Sequence, residues 1–419
     1  MKNTAVSKVV IVGAGFAGVR VALDLAKSKY PQEIILVNKN SYHEFHADLY
    51  EIATTTLPEP QRKQISRFTY ENLKGSVAIP LEQIFKGTNV KIITDTIISL
   101  DLESKKLALE SSKPLFYDVL VLALGSETNY FEISNLEKYS LPLKTVDDAL
   151  NIRDEIDEIF MRKKNGDKIS IVVGGGGFTG VEFASELVGF LKDLSLIHVH
   201  KGHDVKLSVV EACPALINGV SPSIQDEARK RLEHLGIRLY LDSKITKVTK
   251  KIVYAEPHLA IPYDLLVWTA GIKANSLVSS LTGVHVEKTC LVVDKTLRVI
   301  HFRNVFAVGD LAYCFDEEKS CPVPSTAQTA IHQGKHTAIN IARFLKKEDL
   351  LLYKPKMPNF IIPLGGKYAA AQVGNVIIKG TQAWWLKRAA ALRYFSSILP
   401  AADALKVWAS GNRFFVAND

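Results

Sequence analysis

Cysteine is scarce in this 419-residue chain: four residues, at 213, 290, 314 and 321, none spaced as CxxC. That excludes a thioredoxin-type redox pair and a zinc ribbon, and the chain is no small disulfide-stapled domain. Reduced thiols in a cytosol are expected, and no metal site. Long apolar runs are also missing: no stretch of 18 is free of charge, so no helix is expected to span a bilayer. No signal peptide is recognisable, because the segment from Ser7 already has the character of a buried strand. Low complexity is absent too. With 47% apolar and 23% charged residues the composition is globular, which excludes disordered and collagen-like classes. The length corresponds to two or three domains. Positive charge is in excess, 52 Lys and Arg against 44 Asp and Glu, which suits anionic ligands or an anionic surface.

A β-branched run, KVVIV (8–12), leads into Gly13-Ala14-Gly15-Phe16-Ala17-Gly18. VRVALDLAKSK (19–29) then has helical periodicity, and EIILVN (33–38) reads as a second buried strand. This strand-turn-helix setting turns a G-x-G-x-x-G match into a dinucleotide-binding signal. Gly13 permits the tight turn, Gly15 lets a pyrophosphate reach the backbone, and Gly18 lets helix and strand pack closely. The helix start offers unpaired N–H groups and a positive dipole end to phosphates. At the end of the second strand, where an acid is usual, stand Asn38 and Lys39.

The pattern recurs. ISIVV (169–173) leads into Gly174 to Gly180, with Gly175, Gly177 and Gly180 in the fingerprint positions, and VEFASELVGFLKDL continues as a helix. VKLSVVE (205–211) ends in Glu211, which can accept from both ribose hydroxyls and would repel a 2′-phosphate, favouring NADH over NADPH. Tyr117-Asp118 with its apolar strand ending at Gly125 is likewise echoed by Tyr263-Asp264 and the strand ending at Ala270-Gly271. Two nucleotide-binding units of one build therefore follow one another. The expected fold class is α/β: two Rossmann-like dinucleotide-binding domains, one for FAD and one for NADH, plus a helical C-terminal membrane-associating segment. The expected divisions are 1–150 and 290–375 for FAD, 151–289 for NADH, and 376–419 for the membrane.

A strand ending in Gly309-Asp310 adds to this picture, because its carboxylate is suited to a polyol chain. Here the sequence resembles the two-dinucleotide-binding-domain flavoproteins, and within them the type II NADH:quinone oxidoreductases, nearly end to end. The resemblance is carried by GAGFAG (13–18), NKNSYH (38–43), GGGGFTGVEF (174–183), VVEACP (209–214), VWTAGI (267–272), VGD (308–310) and AQTAIHQG (327–334). It implies that Gly13 through Ala17 cradle the FAD pyrophosphate, that Asn38 and Lys39 meet the adenosine moiety, and that Ile97 and Ala123 line the same nucleotide. It further implies that Asp310 holds the ribityl chain, that Thr326 and Ala327 approach the isoalloxazine from a helix start, and that Lys387 lies near the flavin. Glu182 is implied beside the flavin, coupling NADH and quinone chemistry; its alternative role is a first-turn acid complementing the helix dipole. Gln328 and His332 fall in the quinone motif, where His332 replaces a usual glutamine. His332 could donate to a quinone carbonyl and titrate near neutral pH, or point to solvent.

From Lys379 to Arg413 six bases face one acid, Asp403, and Trp384, Trp385 and Trp408 fall in the same stretch with Tyr394, Phe395, Phe414 and Phe415. Rings mixed with bases suit an anionic membrane interface. Helices are expected over 382–396 and 401–410, separated by Pro400; the first is not cleanly amphipathic, so docking on the flavin domain or a homodimer are alternative uses. No nucleic-acid-binding motif accompanies the charge. The implied reaction passes hydride from NADH to FAD and two electrons to a membrane quinone, at the cytoplasmic face and without proton pumping. Glu182 and His332 are the groups available to relay protons. A sulfide:quinone oxidoreductase-like protein and an NADH-binding redox sensor are the competing readings.

Overall fold

A computed structural model of the chain describes residues 6–28, 30, 32–56, 67–197 and 204–415. Lys29, at the end of the expected first helix, and residues 416–419 of the C-terminal segment lie outside them. Along the chain, the elements that position the site begin with β1 (Ser7–Val12), α1 (Phe16–Ala26), β2 (Gln32–Asn38), α2 (Leu49–Thr54), β3 (Val90–Thr94) and β4 (Val119–Leu122). Then come β5 (Leu141–Pro142), β6 (Lys168–Gly174), α3 (Phe178–Ile197), β7 (Asp204–Val210), β8 (Arg238–Tyr240), β9 (Leu265–Trp268) and β10 (Val305–Ala307). Three helices follow: α4 (Ala327–Leu345), α5 (Thr381–Ile398) and α6 (Ala401–Phe415).

Two compact units result. The first comprises residues 1–44, 79–127 and 272–358; the second comprises 45–78, 128–271 and 359–419. Each holds a five-stranded sheet. In the first unit the order is β10-β4-β1-β2-β3, in the second β5-β9-β6-β7-β8, and every pairing along both is parallel. The two orders match position for position, with the fingerprint strand central and the Tyr-Asp strand beside it. Strands covered on both faces need continuous apolar side chains, which is why KVVIV and ISIVV show no alternation. Val9 to Val12 and Ile171 to Val173 are almost wholly buried.

The Tyr-Asp motif has the same task in both units. Asp118 Oδ2 accepts from Lys8 N at 2.7 Å and Asp118 N donates to Lys8 O at 2.9 Å. Asp264 Oδ2 accepts from Ser170 N at 2.9 Å and Asp264 N donates to Ser170 O at 2.8 Å. Each aspartate thus fixes the register of its strand against the start of the fingerprint strand, and so sets where the glycine turn emerges. Behind the first sheet, Val10, Ile35, Leu120 and Leu291 share a core; behind the second, Val172, Val210, Leu266 and Trp268 do.

The C-terminal helices α5 and α6 form where expected and belong to the second unit. Most of their aromatic rings do not face outward. Trp384, Phe395 and Phe415 are at most 3% exposed, and Phe45 packs on Phe395 and Tyr394 at centroid distances of 4.8 and 5.3 Å. Among the tryptophans of this segment, only Trp385 is strongly exposed, at 58%. No described helix is long and apolar enough to cross a membrane.

Candidate functional site

In the first unit, the turn after β1 shows why its residues are glycine. Gly13 has φ +98°, and a Cβ there would meet Ala123 O at 2.3 Å; one on Gly18 would meet Gly13 O at 1.9 Å. A Cβ on Gly15, by contrast, would meet nothing within 4 Å. Gly13 and Gly18 are therefore fixed by the fold, whereas Gly15 leaves an open approach to backbone N–H groups at the start of α1. That is the shape a pyrophosphate needs. Ala14, Phe16 and Ala17 complete the turn, and Gly125, with φ +68°, follows three residues after the neighbouring strand β4. Asn38 is engaged locally: its Oδ1 accepts from Ala14 N at 2.9 Å and its Nδ2 donates to Asn40 O at 2.8 Å. It therefore shapes the turn as well as standing at the end of β2. Lys39 beside it is exposed, and Ile97 opens a neighbouring strand and packs against the core of this unit.

Sequence reasoning missed His43. Its ring is fully buried, and since Ala14 O can only accept, Nδ1 donates to it at 2.8 Å. Burial pulls the imidazole down to about pKa 4, so it stays neutral and props the same turn from below. The Tyr-His pair in NKNSYH was the available signal.

Asp310 and the start of α4 converge on α1 in the same unit. Ser126 Oγ donates to Asp310 Oδ2 at 2.7 Å, which leaves the other carboxylate oxygen for a polyol. Gly309 N donates to Gln333 Oε1 at 2.7 Å, and a Cβ on Gly309 would sit 3.6 Å from the Ala17 and Ala330 methyls. Thr326 caps α4 by accepting from Thr329 N at 3.1 Å, placing Ala327 in the first turn. Gln328 is exposed and His332 half-buried on the same helix; the family glutamine position next to it, Gln333, is buried against Gly309.

The second unit repeats the cradle. Gly175 has φ +113° and abuts Ala270; a Cβ on Gly180 would meet Gly175 O at 1.9 Å; one on Gly177 would meet nothing within 4 Å. A Cβ on Gly271 would run into the Phe131 ring at 2.4 Å. Glu211 reaches across the turn: Oε2 accepts from Gly176 N at 2.5 Å and Oε1 from Cys213 N at 2.9 Å. Its carboxylate thus orders the turn, with lone pairs left for hydroxyl donors. Glu211→Ala should raise the Michaelis constant for NADH roughly tenfold or more, the value of losing charge-assisted hydrogen bonds, and raise that for NADPH far less. Steady-state kinetics with both nucleotides checks this; equal effects would remove Glu211 from the ribose.

Glu182 does not stand in the first turn of its helix as expected. Helix α3 begins at Phe178, two residues before Gly180, so Glu182 is the fifth helical residue and a poor partner for the dipole. Instead it meets a buried charge cluster. Lys387 Nζ lies 2.8 Å from Asp48 Oδ1 and 3.2 Å from Glu51 Oε1 and hydrogen-bonds Tyr50, while Arg388 pairs with Glu51 at 3.2 Å. Burial pushes the Glu182 carboxyl up to about 8; Lys387 opposes the rise, and the Asp48 and Glu51 carboxylates add to it. Asp48 and Glu51, three residues apart around the start of α2, were not foreseen, since their partners lie more than 300 residues away in the chain. Lys387→Met should destabilise the protein by about 3–5 kcal/mol by leaving the buried Asp48 carboxylate uncompensated and Glu51 with Arg388 alone. Chemical denaturation measures this, and a change below about 1 kcal/mol would deny the cluster its role.

The model of the pyridine nucleotide-disulphide oxidoreductases matches residues 7–334. The chain belongs to that family. Within the pyridine nucleotide-disulphide oxidoreductases, it is similar to the type II NADH:quinone oxidoreductases of Staphylococcus saprophyticus, 27% identical over 393 residues, and of Staphylococcus aureus, 28% identical over 393 residues. Each alignment spans 91% of this chain and 93% of the relative. Its fold matches that of NDH2 from Plasmodium falciparum solved with NADH, with a TM-score of 0.81 at 18% identity over 98% of this chain and 99% of the other. It also matches the sulfide:quinone oxidoreductase of Aquifex aeolicus, with a TM-score of 0.76 at 19% identity over 96% and 92% of the two chains.

The disulphide of the family name has no counterpart here, because all four cysteines are free. Burial raises the Cys314 thiol to about 11 and also raises Cys213 and Cys290, so none of these three is poised as a thiolate.

Proposed function

We propose that this chain oxidises NADH by way of bound FAD and delivers two electrons to a membrane quinone, without pumping protons. The observation that carries the reading is the pair of matched glycine cradles, one followed by Asn38-Lys39 and the other by Glu211. Names of the type II NADH:quinone oxidoreductase relatives point the same way. FAD belongs to residues 1–150 and 290–375, NADH to 151–289, and the membrane to 376–419. FAD, when bound, accepts hydride from reduced nicotinamide and releases electrons in pairs to a quinone.

The chain's own residues supply the rest. The turn from Gly13 to Gly18, with Asn38, Lys39, Ile97, Ala123 and Gly125, holds the adenosine and pyrophosphate of FAD; Asp310 accepts from the ribityl hydroxyls; Thr326 and Ala327 present the start of α4. Gly175, Gly177, Gly180, Ala270 and Gly271 shape the NADH turn, and Glu211 accepts from the ribose. Glu182, with its raised pKa, holds a proton at neutral pH for quinol formation, and Lys387 tunes it. Gln328 and His332 face the quinone. The complete second fingerprint ending in Glu211 argues against the sulfide reading, which has no use for a nicotinamide.

Association with an anionic membrane surface rests on Arg393, Lys406 and Arg413, all exposed on α5 and α6, with Trp385 and Leu405 exposed beside them. Each base near such a surface contributes about 1 kcal/mol. We place the protein peripherally at the cytoplasmic face. Vesicles test this with the full chain. NADH oxidation dependent on added quinone, and sedimentation with phosphatidylglycerol but not phosphatidylcholine vesicles, are expected. Quinone-independent NADH oxidation would overturn the enzyme reading, and equal binding to both lipids would overturn the electrostatic one.

A further inference from the structure

His332 stands where the resemblance leads one to expect a glutamine, and its surroundings show how an imidazole takes over that position. Gln328, His332 and His336 recur every four residues along α4 and line one face of it. The adjoining face, with Thr329, Gln333, Thr337 and Ala338, is buried. Tyr353 closes on the histidine stripe, with ring centroids 5.3 Å from His332 and 5.4 Å from His336. Its hydroxyl lies 3.2 Å from His332 Nδ1. The backbone of the segment carrying Tyr353 is fastened to Lys295 and to side chains of the helix. Tyr353 N donates to Lys295 O at 2.7 Å. Two residues earlier, Leu351 N donates to Asn340 Oδ1 at 2.8 Å, and Asn340 Nδ2 donates to Leu351 O at 3.0 Å and to Thr296 O at 3.1 Å. Asn340 is fully buried, and His336 Nε2 donates to Leu351 O at 2.9 Å, so the ring of Tyr353 has little freedom to leave.

We propose that Tyr353 is a positioning residue: its hydroxyl donates to Nδ1 of His332, fixing the neutral imidazole with its hydrogen on Nε2 and presenting an N–H donor in place of the glutamine amide. The proposal rests on the reading of His332 as a quinone contact. The donor direction follows from chemistry. A phenol O–H is the stronger donor and an imidazole lone pair the stronger acceptor. Burial holds the Tyr353 phenol well above its ordinary range, so it keeps its hydrogen, and the nearby Cys314 adds to this. His332 is held below its ordinary range by burial first, then by Lys356, His336 and Lys335, the charged and titratable groups facing it besides Tyr353. The ring therefore enters neutral pH uncharged, as an amide is, and the tautomer is what decides whether it can donate.

The two possible orientations of the hydrogen bond give opposite signs. If Tyr353 donates, protonation of Nδ1 destroys the acceptor, so the bond favours the neutral ring and its removal raises the His332 pKa. If Nδ1 donates to the phenol oxygen, the bond survives protonation, and its removal lowers the pKa or leaves it unchanged. The test is a ¹⁵N titration of the FAD-loaded full chain labelled at histidine, with His332→Gln identifying the resonance. The parent should show the Nε2–H tautomer, and Tyr353→Phe should raise the His332 midpoint by roughly half a pH unit or more, the worth of one hydrogen bond. An unchanged or lowered midpoint overturns the proposal.

Kinetics supply the second arm. Tyr353→Phe should slow turnover with a soluble quinone roughly threefold to tenfold while leaving flavin reduction by NADH unchanged. In the His332→Gln background the same change should cost less than about twofold, because an amide carries its own N–H donors. Equal losses in both backgrounds would make Tyr353 a structural residue and overturn the proposal. Unchanged quinone turnover in His332→Ala would instead remove His332 from the quinone site, a failure of the underlying reading that leaves the measured tautomer intact.

Discussion

Gly180→Ala is expected to leave the protein yellow and unable to use NADH, whereas Gly18→Ala is expected to yield protein that retains no FAD. The two substitutions add one methyl group each, at positions made equivalent by the repeat. In both, the new Cβ would sit 1.9 Å from a backbone carbonyl, that of Gly13 for Gly18 and that of Gly175 for Gly180. No rotamer relieves such an overlap, because both partners are backbone. The helix must move away from the strand, and the N–H groups at its start move with it. Dissociation constants should rise at least tenfold for the affected nucleotide only. Flavin content by absorbance and NADH binding by fluorescence quenching read the two outcomes, with circular dichroism confirming that each variant folds. A Gly18→Ala protein that keeps its FAD and loses NADH would reverse the assignment of the two cradles.

Glu182→Gln is expected to stabilise the protein in alkali and to impair quinone reduction. Burial raises the carboxyl from its ordinary 4.5 to about 8, against the pull of Lys387. A carboxyl with a folded-state pKa above its unfolded value costs nothing while protonated in both states. The cost grows as pH rises from about 4.5, where the unfolded chain ionises, and is complete above about 8. Glutamine removes it. The variant should therefore match the parent near pH 4.5 and exceed it by on the order of 2–4 kcal/mol above pH 8, as read by chemical denaturation. The same replacement removes a proton held at neutral pH. The limb near pH 8 in the rate of quinone reduction should disappear with it, while NADH binding persists. A parent whose stability is flat between pH 5 and 8 would mean that Glu182 ionises normally.

What was legible in the sequence was legible because its physics is local. The positive φ of Gly13 and the approach of Gly18 to the Gly13 carbonyl lie within six residues, and the second copy repeats both at Gly175 and Gly180. The duplication of Tyr117-Asp118 at Tyr263-Asp264 was visible, but its purpose was not: clamping the start of a strand shows only once Lys8 and Ser170 lie alongside. The C-terminal segment was legible as a pair of helices, but which of its aromatic rings are buried was not. Composition cannot tell a ring that meets lipid from one that packs on Phe45, and burial of Phe395 is a tertiary fact. For the same reason Lys387 was placed by resemblance, while its partners Asp48, Tyr50 and Glu51 had no signature at all. Glu182 lies about one turn further along its helix than the glycine spacing suggested.

The most direct measurement is the visible spectrum of the purified full chain during anaerobic titration, first with NADH and then with a soluble quinone. A flavin band near 450 nm should bleach at one NADH per flavin and return in full on addition of quinone. Colourless protein that takes up no flavin, or a bleached band that no quinone restores, would contradict the account.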